Sequence, residues 1–363
     1  MTIIAASQIE RQIDIAAGVD THQDTHTVAV IDTAGRRLGH RQFSADGPGY
    51  RALLVWVRGF GMLSVIGVEG TGAYGAGLVR SLQQERVNTV EVDRPDRKTR
   101  RDRGKSDPID AEAAARAALA KVRTGVPKVR TGQVEALRNL RVARRSAISQ
   151  RADCTRRIKT LMITAPDGLR RQLRDLSDRQ LLAVCATLRP DTTRTDDPTQ
   201  AAKIALRTLA KRHDALRVEI DYLDTLIKPL VNAINPALLE LNGVGPDVAG
   251  QLLVTAGQNT ERLHSEAAFA MLCGVAPIPA SSGKSHRHRL NRGGDRQANA
   301  AIHRIVICRL RWDQRTQAYM ARRTTEGLSK KDIIRCLKRL IAREIYYVLR
   351  STETTDVTRL LAA

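Results

Sequence analysis

The sequence predicts an α/β domain at its amino end, followed by two mainly helical regions. Three observations support this fold class. Short apolar segments alternate with helical ones over the first 120 residues, as expected of strands and helices that share one core. Between residues 130 and 235 the strand pattern disappears, and apolar residues recur with helical spacing. The remaining chain has the pattern of helices joined by glycine-rich turns.

The first domain, residues 1–125, is predicted to have the order βββαβαβα. Three strands come first, at IAAGVD, HTVAVID and RLGHRQF, with a TAGR turn before the third. GYRALLVWVRGF is then a helix, SVIGVEG a buried strand, GLVRSLQQER a helix and VNTVEVD a strand. DPIDAEAAARAALAK ends the domain as a helix, since alanine favours that state most strongly. A mixed sheet flanked by helices in this order is typical of an RNase H-like domain.

The middle region, residues 126–235, is predicted to contain two long antiparallel helices with a short helical insert. Its second half carries apolar residues at alternating spacings of four and three, which is the pattern of a coiled-coil seam. These residues are Leu216, Ile220, Leu223, Ile227, Leu230 and Ile234. The first helix covers residues 134–162, and RPDTTRTDDPTQ is a polar linker between the two helices.

The third region, residues 236–363, is predicted to be mainly helical. LLELNGVGPDVAGQLLVTAG has the pattern of a helix-hairpin-helix element, with a tight turn at Gly243 and Gly245. Backbone N–H groups in such a turn can hold a phosphate, although an ordinary turn between helices has the same pattern. A later helix is predicted to begin after Asp295, which is a suitable N-cap. KKDIIRCLKRLIAREIYYVLR is predicted to be an amphipathic basic helix.

The charge balance predicts a polyanionic partner. The chain has 60 Lys and Arg residues against 38 Asp and Glu residues, a net charge of +22, which suits nucleic acid better than a small metabolite. Aromatic residues make up only 3% of the chain, so contacts to phosphates and grooves are expected rather than extensive base stacking. No apolar run approaches the roughly 20 residues of a membrane span. We therefore expect a cytoplasmic nucleic-acid-binding protein with no membrane partner.

Four carboxylates are candidate metal ligands. Asp107 and Asp110 are three residues apart, so a helix places them on one face. Asp20 ends the first predicted strand and Glu69 ends the fourth, and a charge at such a position is costly unless it has a role. These strand ends are neighbours in an RNase H-like sheet. Carboxylates that converge there can hold Mg²⁺ ions for an in-line phosphoryl displacement.

Two alternatives remain for this part of the sequence. The helical carboxylates would also make a good helix start without any metal, with Asp107 as N-cap, Pro108 at the first helical position and Asp110 at the third. The polar residues after the first strand would suit a His-carboxylate transition-metal site. They are His22, Asp24 and His26. We prefer a simple turn there, because aspartate, histidine and threonine are common turn residues.

Two basic clusters are predicted to contact nucleic acid. The first precedes Asp107 and consists of Arg97, Lys98, Arg100, Arg101, Arg103 and Lys105. The second surrounds the serines of ASSGK, residues 280–284, and consists of Lys284, Arg287, Arg289, Arg292 and Arg296. Cations at that density can neutralise a phosphodiester that a serine hydroxyl attacks. The alternative is a basic DNA-docking loop without chemistry.

The motifs resemble those of the DEDD insertion-sequence transposases of the IS110 family, some of which are recombinases guided by a bridge RNA. The resemblance is carried, in order, by GVDTHQDTHTVAVID, VEGTGAYG, SDPIDAEAAA, LNGVGPDVAGQLL and GVAPIPASSGKSHRHRLNRGGDRQANAAIHR. It implies a RuvC-like domain, a coiled-coil middle and a C-terminal transposase domain, in agreement with the three regions above.

The resemblance also implies roles for individual residues. The DEDD set falls on Asp20, Glu69, Asp107 and Asp110. The family's catalytic serine directly precedes a glycine and falls on Ser282, with the adjacent Ser281 as the alternate. The expected cofactor is Mg²⁺. The expected partners are donor DNA, target DNA, a structured noncoding RNA encoded by the element, and further copies of the chain in a dimer or tetramer at the bacterial nucleoid.

The sequence thus predicts a DNA transposase or recombinase that excises and inserts its own element. Two other classes remain as alternatives. A metal-dependent nuclease or Holliday-junction resolvase would use activated water, but the coiled coil and the long basic C-terminal region argue against it. A non-catalytic architectural protein is disfavoured by the complete carboxylate set, because acidic groups near phosphate are costly without a cation.

Overall fold

The computed structural model describes residues 13–93, 106–283 and 288–351, which form two compact units. The first unit extends to residue 130 and includes residues 257–264, and the second comprises the rest. Asn259 attaches the returning segment to the first unit, because its side chain accepts from Val129 N at 2.9 Å and donates to Pro127 O at 3.1 Å. Within the described ranges no helix has the apolar length that a bilayer crossing requires. The division at residues 125 and 235 into three domains stays a prediction.

The first unit contains a six-stranded mixed sheet in the order β3-β2-β1-β4-β5-β6. Its strands are β1 Asp14–Thr21, β2 Thr25–Asp32, β3 Arg37–Ser44, β4 Met62–Glu69, β5 Thr89–Val92 and β6 Thr124–Gly125. β1 pairs antiparallel with β2 and parallel with β4, so the strand direction changes there. The five predicted strands are present. β6 is two residues long, too short for any periodicity by which a sequence could predict it.

Helices cover both faces of this sheet. They are α1 Gly47–Arg58, α2 Ala76–Gln84 and α3 Asp107–Leu119. Leu53 of α1 and Leu78 of α2 are fully buried against Ile15 and Ile66 of the sheet. The intervening residues of β1 and β2 face the other way and pack against Ala115 of α3. The mixed α/β architecture is consistent with an RNase H-like fold, as predicted.

Glycines in the sheet allow α3 to lie directly on the backbone of β1 and β4. A Cβ atom at Gly18 would lie 2.1 Å from Ala115 N and 2.2 Å from Ala111 O. A Cβ atom at Gly67 would lie 2.7 Å from Ala114 O. These are backbone atoms, so no side-chain rotation can relieve the overlap. The alanines of α3 therefore bring the start of that helix, with its two aspartates, close to the end of β1.

We expect Gly18→Ala to lift α3 from the sheet. Overpacking a core typically costs about 1–3 kcal/mol, and the loss here should reach about 3 kcal/mol because the overlap is with backbone. Urea unfolding followed by circular dichroism measures the loss. Gly125→Ala is the matched control, because nothing lies within 4 Å of a Cβ atom built there. Equal stability of the two variants would contradict the close approach of α3.

The second unit begins with two long helices that run antiparallel. They are α4 Gly132–Thr164 and α7 Pro198–Ile234, and two short helices, α5 Asp167–Leu173 and α6 Asp178–Thr187, connect them. Arg144 of α4 pairs with Asp224 of α7 at 2.5 Å. Farther along α4, Ile158 packs with Leu206 of α7. The predicted pair of long helices with a helical insert is therefore present.

The predicted seam on α7 is buried only over its first part. Leu216, Ile220, Leu223 and Ile227 are buried, but Leu230 and Ile234 are only partly buried. Val231 is fully buried in place of Leu230, four residues after Ile227. The end of α7 packs beside Gly250 of α9, because a Cβ atom at Gly250 would lie 3.3 Å from Val231 Cγ2. The end of α7 therefore has α9 as a neighbour in addition to α4. The change of neighbour interrupts the spacing of four and three, and coiled-coil geometry stays a prediction.

The rest of the second unit is mainly helical, as predicted. It contains α8 Ala237–Glu240, α9 Pro246–Ala256, α10 Glu266–Leu272, α11 Arg296–Trp312, α12 Gln314–Thr325 and α13 Lys330–Arg350, with a two-stranded ribbon of β7 Ile278–Pro279 and β8 His288–Arg289 between α10 and α11. Asp295 is the N-cap of α11, as predicted, and accepts from Gln297 N at 2.8 Å. Arg309 of α11 pairs with Glu344 of α13 at 2.7 Å.

Candidate active site

Three potential metal ligands meet at one edge of the first unit's sheet. Asp20 lies at the end of β1, and Asp107 lies in the first turn of α3. His22 follows β1, and its Nε2 atom lies 3.1 Å from Asp20 Oδ2 and 3.4 Å from Asp107 Oδ1. One donor atom from each residue lies within 4.8 Å of the other two. A strand end, a turn and a helix start thus contribute to one cluster.

Asp110 and Glu69 lie at the same edge. Asp110 is one turn after Asp107, is 6% exposed, and is close enough for its charge to act on Asp20. Glu69 ends β4, the parallel neighbour of β1, and is 8% exposed. Thr21 Oγ1 donates to the backbone carbonyl oxygen of Glu69 at 2.8 Å, which joins the two strand ends. The structure therefore places the four predicted acidic residues at one edge of the sheet, with the charges of Asp107 and Asp110 acting on Asp20.

The electrostatics of the cluster suit a cation. Burial raises the pKa of Asp20, the negative charges of Asp110 and Asp107 raise it further, and His22 acts in the opposite direction. Carboxylates that are buried together repel one another and lose hydration, so the arrangement is costly without a positive charge. Divalent cations with oxygen ligands provide that charge. The cluster of Asp20, His22 and Asp107 therefore fits a divalent ion, and Asp110 and Glu69 lie at the same edge of the sheet.

The helix-capping alternative was wrong about the N-cap. Ser106, with an extended backbone conformation, occupies that position, and Asp107 is the first residue of α3. Both aspartates lie in the first turn, where negative charge interacts favourably with the helix dipole. That interaction is worth about 0.3–1 kcal/mol. It does not account for the proximity of Asp107 to His22 and Asp20.

The residues that follow β1 have different roles. His26 is fully buried and stacks on Tyr50, with ring centroids 5.6 Å apart, and burial lowers its pKa. Asp24 is exposed in the turn. Of the three polar residues in this segment, only His22 joins a metal-ligand cluster among the described residues. Its spacing of two from Asp20 was the available signal, because residues i and i+2 of an extended chain share a face.

The serines lie in the second unit, in the loop that follows β7. Ser281 and Ser282 are exposed, and Gly283 after them has a φ of +54°, which favours glycine. β7 and β8 pair antiparallel, with Ile278 opposite Arg289. The serines therefore lie directly after the first strand of a short ribbon.

The predicted cations around the serines are partly described. Arg289, Arg292 and Arg296 are exposed, and the first two line an open cavity of about 610 Å³ beside Ile278 and Asn291. Lys284 and Arg287 lie outside the described residues. So does the whole basic cluster before Asp107: Arg97, Lys98, Arg100, Arg101, Arg103 and Lys105.

The predicted hairpin glycines lie between α8 and α9. Gly243 has a φ of +79° and lies beside α11, where a Cβ atom would be 3.3 Å from Cys308 Cβ. Gly245 is exposed, with open space where its Cβ atom would be. Arg309 Nε donates to the carbonyl oxygen of Asn242 at 2.8 Å. The turn is therefore fixed by α11 on one side and open at Gly245, and phosphate binding there stays a prediction.

Comparison with known proteins gives matches in both units. A transposase family model, named for the DEDD transposases of IS110, matches residues 17–165, and a model described as the transposase IS116/IS110/IS902 family matches residues 235–321. The chain is similar to an uncharacterized 43.6 kDa protein of insertion element IS110 from Streptomyces coelicolor. The two are 29% identical over 150 residues, which make up 40% of this chain and 37% of that protein. It is also similar to an uncharacterized 42 kDa protein of insertion element IS900 from Mycobacterium paratuberculosis. The two are 27% identical over 154 residues, which make up 42% of this chain and 39% of that protein. The matches span under two fifths of either relative.

Proposed function

Because the chain belongs to the IS116/IS110/IS902 family of transposases, we propose that it excises and inserts an insertion-sequence element by cleaving and exchanging DNA strands. The clustering of the Asp20, Asp107 and Asp110 carboxylates at one sheet edge, where Glu69 also ends its strand, is the observation that carries the proposal. Grouped carboxylates of this kind need a cation, and a bound cation together with the chain's net charge of +22 suits a phosphodiester substrate.

The acidic cluster is proposed to hold Mg²⁺ or a similar divalent ion. Such an ion supplies charge neutralisation at the scissile phosphate. The chain's own contribution is to fix the oxygen donors. Asp20 and Glu69 are held by the paired strands β1 and β4, and Asp107 and Asp110 are held by the start of α3. Both pairs of donors are thus attached to secondary-structure elements of the first unit.

Ser282 is proposed to be the nucleophile. Its hydroxyl loses a proton as Oγ bonds to phosphorus, and the bond from phosphorus to the leaving sugar oxygen breaks. The leaving sugar oxygen takes up a proton. The DNA end that carries the phosphate is then esterified to the protein through Oγ. A sugar hydroxyl of the second DNA then attacks this phosphodiester and loses its proton. The bond from phosphorus to Oγ breaks, Oγ takes up a proton, and the exchanged strands are joined. Arg289 and Arg292 would neutralise charge that develops on the phosphate.

The proposed partners are donor DNA, target DNA and a structured RNA from the element. The net charge of +22 supports polyanion binding, and the RNA rests on the family resemblance. A homo-oligomer, a dimer or a tetramer, is proposed because exchange of two strand pairs requires more than one serine. Nucleoid association follows from DNA binding.

A strand-exchange assay tests the proposal. Purified protein is incubated with element DNA, target DNA and Mg²⁺, with the element's RNA or with a shuffled RNA of equal length. We expect joined donor–target products only with the element's RNA. Equal joining with the shuffled RNA would remove the guide from the proposal. Cleavage to free DNA ends without joining would favour the nuclease or resolvase.

A further inference from the structure

His22 is held over the end of β1 by the turn that follows this strand. Its backbone N–H donates to the carbonyl oxygen of Thr25 at 3.0 Å, so the chain reverses directly after the histidine. Its Nε2 atom lies 3.1 Å from Asp20 Oδ2 and 3.4 Å from Asp107 Oδ1. A single ring nitrogen is therefore close to carboxylates that come from a strand and from a helix.

These separations are compatible with ligands that share one ion. Two donors each about 2.1 Å from a metal are about 3.0 Å apart at a right angle and about 4.2 Å apart when opposite. Both distances from His22 lie within this range. The side chain of His22 is 50% exposed, whereas that of Asp20 is 12% exposed, so an ion can enter from the histidine side.

The kind of donor decides which ion the cluster prefers. Mg²⁺ binds oxygen ligands and retains waters, whereas imidazole nitrogen is a good ligand for transition metals. Mn²⁺ shares the octahedral, oxygen-rich sites of Mg²⁺, and it is the weakest binder of the first-row transition series for nitrogen ligands. It still has the d orbitals and softer character that Mg²⁺ lacks, so one imidazole among carboxylates favours Mn²⁺ over Mg²⁺. A cluster of carboxylates with one imidazole is thus a mixed donor set in which Mn²⁺ gains a ligand that Mg²⁺ uses poorly.

We propose that His22 is a nitrogen ligand of the acidic site and makes it bind Mn²⁺ in preference to Mg²⁺. The inference rests on the proposed function, because it assumes that the four carboxylates hold a divalent ion. It adds a fifth ligand that the DEDD set does not include. The competing role for His22 is a hydrogen bond from Nε2–H to a carboxylate, with no contact to the ion.

Mn²⁺ alone is a suitable probe, because its pulsed electron paramagnetic resonance spectrum detects a directly bound ¹⁴N nucleus. We expect ¹⁴N coupling in the full-length protein and its loss in His22→Ala. Loss of even an outer-shell partner typically weakens metal binding about 10- to 100-fold, so Mn²⁺ affinity should fall at least about tenfold. Mg²⁺ affinity, measured by competition, should change much less. His40→Ala is the matched control, an exposed histidine on β3 of the same unit, and should keep the coupling.

Two results would overturn the inference, and they differ in what they leave standing. His22 would be excluded as a ligand if bound Mn²⁺ showed no ¹⁴N coupling in the parent protein, or if the coupling persisted in His22→Ala. Either result would leave the acidic metal site intact. The acidic metal site itself would be refuted if the parent protein showed no saturable Mn²⁺ binding and Asp20→Asn bound Mn²⁺ to the same extent as the parent. That result would also remove a central part of the proposed function.

Discussion

Ser282→Ala is expected to abolish a covalent protein–DNA adduct that Ser281→Ala retains. Attack by a serine oxygen leaves DNA esterified to the protein, whereas attack by water leaves free ends, and only the ester survives denaturation in detergent. The assay uses a suicide substrate whose cleaved strand cannot be rejoined, with Mg²⁺ and the element's RNA. The adduct is measured as a shifted band on a denaturing gel.

The local structure makes the two serine variants a matched pair. Both residues are exposed and adjacent in the sequence, and neither substitution changes Gly283, whose φ of +54° favours glycine. Removal of an exposed hydroxyl is expected to change stability by less than about 0.5 kcal/mol. Undiminished cleavage in both variants, with no adduct in the parent protein, would refute the serine mechanism. An adduct lost only in Ser281→Ala would move the role to that residue.

Asp107→Asn and Asp110→Asn are each expected to lower strand cleavage by about 10³-fold or more. Loss of one preorganised electrostatic contact typically costs about 10²–10³ in rate, and loss of a charged ligand to a divalent ion should cost at least the upper value. Stability should change little, because Ser106 is the N-cap and the dipole interaction of each aspartate is worth about 0.3–1 kcal/mol. Cleavage of the suicide substrate and urea unfolding measure the two effects.

Glu112→Gln is the control for the aspartate variants. Glu112 lies on the same helix and pairs with Arg116 at 2.7 Å, outside the acidic cluster. The same loss of one negative charge should leave cleavage within about a factor of three, because Glu112 is not in the metal-ligand cluster and the ion pair it loses contributes only about 0–1 kcal/mol to stability. If Asp107→Asn and Asp110→Asn cleave like Glu112→Gln but unfold at lower urea, their role is in helix stability and not in catalysis.

The sequence by itself determined the elements whose pattern is local. Alternation of apolar residues identified the five longer strands, and the alanine content of residues 107–121 identified α3. The tail helix has the bounds Lys330–Arg350 that its amphipathic pattern predicted. Asp295 was recognisable as an N-cap because capping depends on a few adjacent residues. The placement of Asp20 and Glu69 at strand ends also followed from local periodicity.

Only the tertiary structure decided which residues meet across the chain. The sequence favoured a turn for His22, and its contact with Asp107 depends on α3 lying against Gly18, which no local pattern shows. Likewise, Val231 replaces Leu230 in the core because the end of α7 packs beside Gly250 of α9. Both results have one physical reason. Local periodicity determines which face of an element is apolar, whereas the atoms that this face or its end contacts depend on how closely separate elements pack.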